Sequence, residues 1–303
     1  MLDFKPLSPA DSSWLQPILC RKPRLTCESS LCCMTAWGFG SIAACGDFYV
    51  PMVTNEGISF YLPPLGGEDY SAILPALLED SHERGIPFRL FGVTAQDKAW
   101  LETQGRFEFA ANRDFFDYLY DIEALCNLSG HKHQAKRNHI NRFTEEYPDW
   151  RSEPITAETL PECRDMADEW YREHFAAGVD PADFDWERRA FAYSLDHYRE
   201  FGFDGLLIRA GGRVVAFSLG APLSKTVYDV NFEKAFSSVT GAYTIINREF
   251  ARMVHERYPS ICLLDREDDM GVEGLRSAKL SYHPAEIQEK YLVTLKEDPH
   301  AAG

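Results

Sequence analysis

The 303-residue chain predicts an α/β fold made of two consecutive units, each a mixed, mostly antiparallel sheet flanked by helices. Three observations lead there. The run GLLIRAGGRVVAFSLGAP joins two β-rich segments through an Ala-Gly-Gly turn and is the clearest hairpin in the chain. The apolar run Ile261 to Leu264 stops at Asp265, Glu267, Asp268 and Asp269, and a helical pattern from Leu275 to Leu280 follows once Gly271 and Gly274 have let the backbone turn. The two halves also present one element order without repeating residues, which is the mark of a structural duplication.

In the first half, LCCMTAWG, FYVPMV and ISFYLP read as strands parted by turns such as GD and NEG, which makes Ser29 to Pro63 a small meander. Ile73, Leu74, Leu77 and Leu78 recur at helical spacing and predict a helix over Ser71 to Arg84. FRLFGV (Phe88 to Val93) is a buried strand, Asp97 to Thr103 a short helix, and FEFAANRDFFDYLYDI closes this half. In the second half, Ala157 to His174 and Asp185 to Phe201 are helices, the first with Leu160, Met166, Trp170 and Phe175 inward. After the hairpin, TVYDVNFE is a strand whose period of two places Tyr228, Val230 and Phe232 on one face and Asp229, Asn231 and Glu233 on the other. Gly241 to Arg257 is a helix, Ile261 to Leu264 a strand, Val272 to Leu280 a helix and Gln288 to Leu295 the last strand. The predicted division is residues 1–128, a basic linker helix over 129–150, and a second unit over 151–303 that carries the site.

Composition narrows the function. Hydrophobic residues at 45% suffice for real cores, and a formal charge of −16 repels polyanions over the surface as a whole, so any nucleic-acid contact is local. The cysteines at 20, 27, 32, 33, 45, 126, 163 and 262 form no CxxC pair; they read as reduced structural thiols, and no metal site is predicted from spacing. The start MLDFKPLSPADSSW is unlike a signal peptide, and no apolar run reaches the roughly 20 residues of a membrane span, so a cytoplasmic protein is expected. GxSxG, HExxH, Walker A and GxGxxG patterns are all missing, which removes the main support for hydrolase, zincin, P-loop and Rossmann readings.

The order helix, helix, hairpin, strand, helix, strand, helix, strand of the second half resembles the GNAT acyltransferase fold. More specifically, GHKHQAKRNHINRF (130–143), NFEKAFSSVTGAYTIINREF (231–250) and REDDMGVEGLRSAKLSYHPAEIQEKYLV (266–293) together resemble the family named for the C-terminal domain of phosphatidylglycerol lysyltransferase, a tandem GNAT-like unit. The resemblance implies transfer of an activated acyl or aminoacyl group to an amine or hydroxyl acceptor. Acyl-CoA or aminoacyl-tRNA would be the donor substrate, no cofactor would be tightly bound, and a small molecule or a lipid head group would accept. It further implies that the Thr226–Glu233 strand and its preceding neighbour splay apart to admit the donor. The rival is a catalytically silent binding module for a phosphate-bearing ligand.

Site residues follow. By the resemblance, Glu233 is the base and Asn231 binds substrate. Arg276 and Lys279, three apart on one helix face, stabilise developing negative charge, with Asp269 orienting both cations and Tyr282 beside them. Glu267 and Asp268, at the carboxyl end of a strand, either line the substrate site or serve only as helix caps. Tyr243 and Asn247 share a helix face and either line the cleft or are polar surface. Ser238, Thr240 and Gly241 precede a helix, as phosphate-binding residues or simple caps. Lys132, Lys136 and Arg137 lie in the one basic stretch, uninterrupted by Asp or Glu from His131 to Arg142, and read either as holding donor phosphate or as a solvated linker.

Overall fold

The computed structural model describes residues 1–22, 25–67 and 70–297. In chain order the first half runs β1 (Lys5–Pro6), α1 (Ser12–Leu19), α2 (Leu31–Ala36), β2 (Phe39–Cys45), β3 (Phe48–Asn55), β4 (Ile58–Tyr61), β5 (Leu65–Gly66), α3 (Tyr70–Arg84), β6 (Arg89–Val93), α4 (Ala95–Glu102) and β7 (Phe107–Ala111). It continues through β8 (Asp117–Asp121), α5 (Ile122–Asn127), α6 (Gln134–Glu146), β9 (Arg151–Pro154), α7 (Leu160–Ala176), α8 (Asp185–Asp196) and α9 (Tyr198–Phe201). The hairpin is β10 (Asp204–Ala210) and β11 (Arg213–Pro222). Then come β12 (Val227–Ala235), α10 (Ala242–Arg257), β13 (Leu263–Asp265), α11 (Glu273–Leu280), β14 (Glu286–Gln288) and β15 (Tyr291–Leu295).

These strands form two sheets. One has the order β1-β2-β3-β4-β6-β15-β7, with β5 paired to β3; the other has the order β14-β8-β13-β12-β11-β10-β9. The hairpin, β12 and β13 therefore share one sheet, as expected. Each sheet also takes a strand from the other half of the chain. β8, read from sequence as closing the first unit, pairs with β13 and β14 of the second sheet. The last strand divides at Glu289 and Lys290: β14 stays in the second sheet, and β15 crosses to lie between β6 and β7 of the first.

LCCMTA is helix α2, not a strand, because the Ser30 hydroxyl accepts from Cys33 N (3.1 Å) and caps its start. Helix α3 turns Ile73, Leu74 and Leu77 into a core shared with Val50, Tyr61, Leu90 and Val293 of the first sheet and with Phe88 just before β6. Each such aliphatic burial contributes about 1.5–3 kcal/mol. Helices α1 and α2 pack the other way: Leu15, Leu19, Leu31 and Met34 join the larger core around the second sheet. Residues 25–36 are thereby held between the sheets, against the end of β12.

Candidate functional site

β12 and β13 are parallel and paired only over Val227–Asp229 and Leu263–Asp265; β13 ends there while β12 continues to Ala235. The opening lies at the carboxyl ends of both strands, where α/β sheets place ligands. It is not on the side expected from sequence, since β11 stays paired with β12 from Ala216–Ala235 to Pro222–Tyr228.

A bulge sets what faces the opening. Leu219 pairs with Phe232 and Ala221 with Asp229, two steps on β11 against three on β12. Gly220 permits it, because a Cβ there would stand 2.0 Å from the Asp229 carbonyl oxygen. The extra residue breaks the predicted alternation. Tyr228 packs on Phe250 of α10, whereas Phe232 packs on Phe191 of α8, on the opposite face of the sheet. Glu233 is accordingly turned away from Asp229 and Asn231, and the three polar residues expected on one face are split between two.

On the α10 face, Arg266 Nη2 donates to Glu233 Oε1 (2.7 Å). Both side chains are mostly buried, and Glu233 Oε2 and Arg266 Nη1 have no hydrogen-bond partner. The guanidinium lies 5.6 Å from the Tyr120 ring centroid and 5.2 Å from that of Tyr282. Lys136 stands 3.6 Å from the Tyr282 ring centroid and donates to Ser281 Oγ (2.7 Å). Burial, with repulsion from Arg266 added, pulls its ammonium down to about 8.

On the α2 face, Asn231 Nδ2 donates to Asp229 Oδ2 (2.7 Å) and Glu267 Oε1 (3.2 Å), and Cys33 Sγ donates to the same Glu267 oxygen (3.6 Å). Glu267 adopts φ 54°, a left-handed conformation uncommon outside glycine, held by its N–H donating to Asp265 Oδ1 (2.8 Å). Lys290, fully buried, donates to Asp117 Oδ1 (2.9 Å), to Cys27 Sγ (3.4 Å) and to Glu28. Burial pushes the carboxyls of Asp229, Asp265 and Glu267 up, with neighbouring carboxylates adding to it, and Glu267 reaches about 8.

The remaining sequence-predicted residues serve elsewhere. Asp269, fully buried, accepts from Arg276 Nε (2.9 Å) and Nη2 (2.7 Å), Tyr118 Oη (2.5 Å) and Arg113 Nη1 (3.3 Å). Burial would raise this carboxyl, but the Arg276 and Tyr118 hydrogen bonds win and hold it well below the usual range. Asp269 thus orients Arg276 and Arg113, not the expected pair of Arg276 and Lys279. Lys279 donates to the carbonyls of Arg266 (2.5 Å), Glu267 (3.2 Å) and Asp268, so it anchors the loop after β13. Arg137 donates to the carbonyls of Leu128 (2.5 Å) and Gly130 (2.7 Å), closing the end of α5 where a free phosphate-binding cation was expected. Lys132 is exposed. Gly241 (φ 87°) makes room for α6, since a Cβ would lie 2.4 Å from the His139 carbonyl oxygen; Ser238 is exposed and Thr240 half-buried beside it. Tyr243 Oη accepts from Trp170 Nε1 (3.1 Å), and Asn247 is buried with its Oδ1 unpartnered. Asp268 lies 3.9 Å from the Lys290 ammonium.

Sequence reading missed Arg266, Tyr120, Asp117, Lys290 and Cys33. Of these only Arg266, the single cation inside the acidic stop after β13, carried a local signal.

Comparison with known proteins places this architecture. The family model described as phosphatidylglycerol lysyltransferase, C-terminal, matches residues 21–294. A crystal structure of a conserved protein of unknown function from Bacteroides thetaiotaomicron is 36% identical, covers 98% of this chain and 100% of that one, and superposes with a TM-score of 0.91. The C-terminal domain of a putative lysylphosphatidylglycerol synthetase from Agrobacterium fabrum (13% identity; 95% and 92% covered; TM-score 0.67) and L-PGS from Bacillus licheniformis (16%; 94% and 92%; 0.65) share the fold. An uncharacterized protein of Mycoplasmoides gallisepticum is 24% identical over 177 residues, which are 58% of this chain and 55% of that relative, so the match spans about half of the curated protein's length.

Proposed function

The chain belongs to the phosphatidylglycerol lysyltransferase C-terminal family, and from that membership we propose that it transfers an activated acyl or aminoacyl group, carried by aminoacyl-tRNA or acyl-CoA, to an amine or hydroxyl acceptor. One observation carries this reading. At the opening of β12, a carboxylate and a guanidinium hold each other and each keeps a buried, unpartnered atom: Glu233 Oε2 and Arg266 Nη1. Such a pair suits acyl transfer, which needs a proton acceptor beside the nucleophile and fixed positive charge where the carbonyl oxygen becomes anionic.

In the proposed reaction the acceptor N–H or O–H gives its proton to Glu233 Oε2 as its heteroatom bonds the acyl carbon. Arg266 Nη1 faces the resulting oxyanion. The bond to the donor oxygen or sulfur then breaks as Lys136, readily deprotonated because its ammonium is half-buried beside Arg266, gives its own proton to the leaving group; the proton held by Glu233 is released to solvent and Lys136 is reprotonated from it. Arg266 takes the charge-stabilising role that the sequence assigned to Arg276 and Lys279; these, with Asp269, become positioning residues for the 266–269 loop. Exposed Lys132 and Arg142 are the cations of the basic stretch left to meet donor phosphate, and any tRNA contact is confined there by the surrounding negative charge. The acceptor is a small molecule or a lipid head group. No described helix is long and apolar enough to cross a membrane.

The test is a labelled-transfer screen of aminoacyl-tRNAs and acyl-CoAs against amine, hydroxyl and lipid-head-group acceptors. Transfer that falls at least about 10²-fold in Glu233→Gln supports the assignment. Donor binding with no transfer to any acceptor would make the chain a silent binding module.

A further inference from the structure

Two thiol–carboxylate groups lie side by side on the α2 face of the second sheet. In one, Cys27, Glu28 and Asp117 bring their donor atoms within 4.8 Å of one another, and the Lys290 ammonium sits among them as counter-cation. In the other, Cys33, Asp229 and Glu267 are gathered just as closely, and among the described residues no lysine, arginine or histidine forms an ion pair with either carboxylate. Carboxyls buried this way are stable only protonated or beside a cation, and a metal ion that displaces the protons satisfies the second group as Lys290 satisfies the first.

Two features identify that cation's class. Asn231, 6% exposed, reaches both carboxylates with its amide and leaves Oδ1 buried and unpartnered; Asp229 Oδ1, in a side chain 1% exposed, is unpartnered too. Cys33 Sγ and Glu267 Oε1 stand 3.6 Å apart. That matches a thiolate and a carboxylate on one tetrahedral ion: with bonds of about 2.3 and 2.0 Å, the donors are about 3.5 Å apart. A soft thiolate favours zinc-like ions over an ammonium or an alkali ion. Cys33 and Glu267 are each partly exposed, which leaves an entry path.

We propose that Cys33, Asp229 and Glu267, with the two carboxylates held by the Asn231 amide, form a binding site for a divalent transition metal of the zinc and cobalt class. The site arises only in the fold, from α2 of one half and β12 and the β13 loop of the other. A bound ion would tie the two halves together beside the opening of β12. The Glu233–Arg266 pair lies on the opposite face, so the metal site stands apart from the transfer reaction.

Cobalt alone tests it, by titration into the full chain carrying Cys262→Ser to remove the exposed thiol. The expected result is one ion per chain, a near-ultraviolet thiolate-to-cobalt charge-transfer band with visible bands of tetrahedral cobalt, and displacement by zinc. Cys33→Ala should abolish the charge-transfer band and weaken cobalt binding at least about 100-fold, while Asp229→Asn should weaken it at least about 10-fold and keep the band. If Cys33→Ala does not fold by circular dichroism, Asp229→Asn and Glu267→Gln decide. Absence of 1:1 binding, a band that survives Cys33→Ala, or unchanged affinity in both carboxylate variants overturns the site. None of these readouts depends on transfer activity.

Discussion

The two sheets share an element order, yet a buried carboxylate of the first, Asp80, and three carboxyls of the second are treated in opposite ways. In the first, the buried carboxylate Asp80 accepts from Tyr61 Oη (2.6 Å), Arg84 Nε (2.8 Å) and Leu2 N (2.6 Å), and an apolar core surrounds it. Burial alone would raise its pKa, but the Arg84 and Tyr61 hydrogen bonds hold it below the ordinary value. In the second, Asp229, Asp265 and Glu267 are pushed up by burial, with neighbouring carboxylates adding to it, and Asp229 Oδ1 and Asp265 Oδ2 lack partners. A satisfied buried charge is scaffold; an unsatisfied one stores the capacity to bind.

The hardest blow to that contrast is Lys290→Met, because Lys290 lies where the chain passes from the second sheet to the first and neutralises Asp117 and Glu28. Removing one partner from a fully buried pair should cost about 3–5 kcal/mol in urea unfolding. A loss below about 1 kcal/mol would mean that the acidic cluster does not depend on this cation. Next comes Glu233→Gln, expected to slow transfer at least about 10²-fold, near 2.7 kcal/mol of barrier, and to lower stability as well, since it leaves the mostly buried Arg266 without its counter-charge. Rates equal to wild type would remove Glu233 from the chemistry.

Acidity sharpens the contrast further, since the two sheets should respond with opposite sign. Asp80 has a depressed folded pKa, so its stabilisation is present above the unfolded value of 3.8 and is lost as pH falls below it. Glu267 has a raised one, so the native state binds more protons between 4.5 and about 8 and stability should decline as pH rises across that window. Unfolding measured at a series of pH values should show that decline, and Glu267→Gln should flatten it; an unchanged slope in the variant would assign the effect elsewhere. The smallest effect is expected at exposed Lys132. Lys132→Ala should shift stability by under about 0.5 kcal/mol and reduce the salt slope of donor binding by about 0.7 to 0.9, visible in affinities measured at several salt concentrations.

Much of the scaffold was legible. Ile73, Leu74 and Leu77 declared α3 by their spacing, the Ala-Gly-Gly turn declared β10 and β11, and the acidic stop after Leu264 marked the end of β13 and its loop, because each of these signals is local in the chain. Leu31 to Ala36 misled, since a short apolar run is the same for strand and helix and only the Ser30 cap decides. The β12 alternation misled for a different reason. A bulge is a property of two strands in register: nothing within residues 226–233 announces that Gly220 lets β11 approach Asp229 so closely.

By itself, then, the sequence determined most of the elements, their order and the family, all of which follow from periodicity, turn chemistry and residues near each other in the chain. Tertiary structure alone decided which charges meet. It turned Glu233 toward Arg266 and away from Asn231, committed Lys279 and Arg137 to backbone carbonyls, gave Asp269 to Arg276 and Arg113, and brought Cys33 to Glu267 across more than two hundred residues. The physical reason is that a side chain's electrostatic partner depends on distance through space and on shared burial, and strands exchanged between two halves bring together residues that no spacing rule connects.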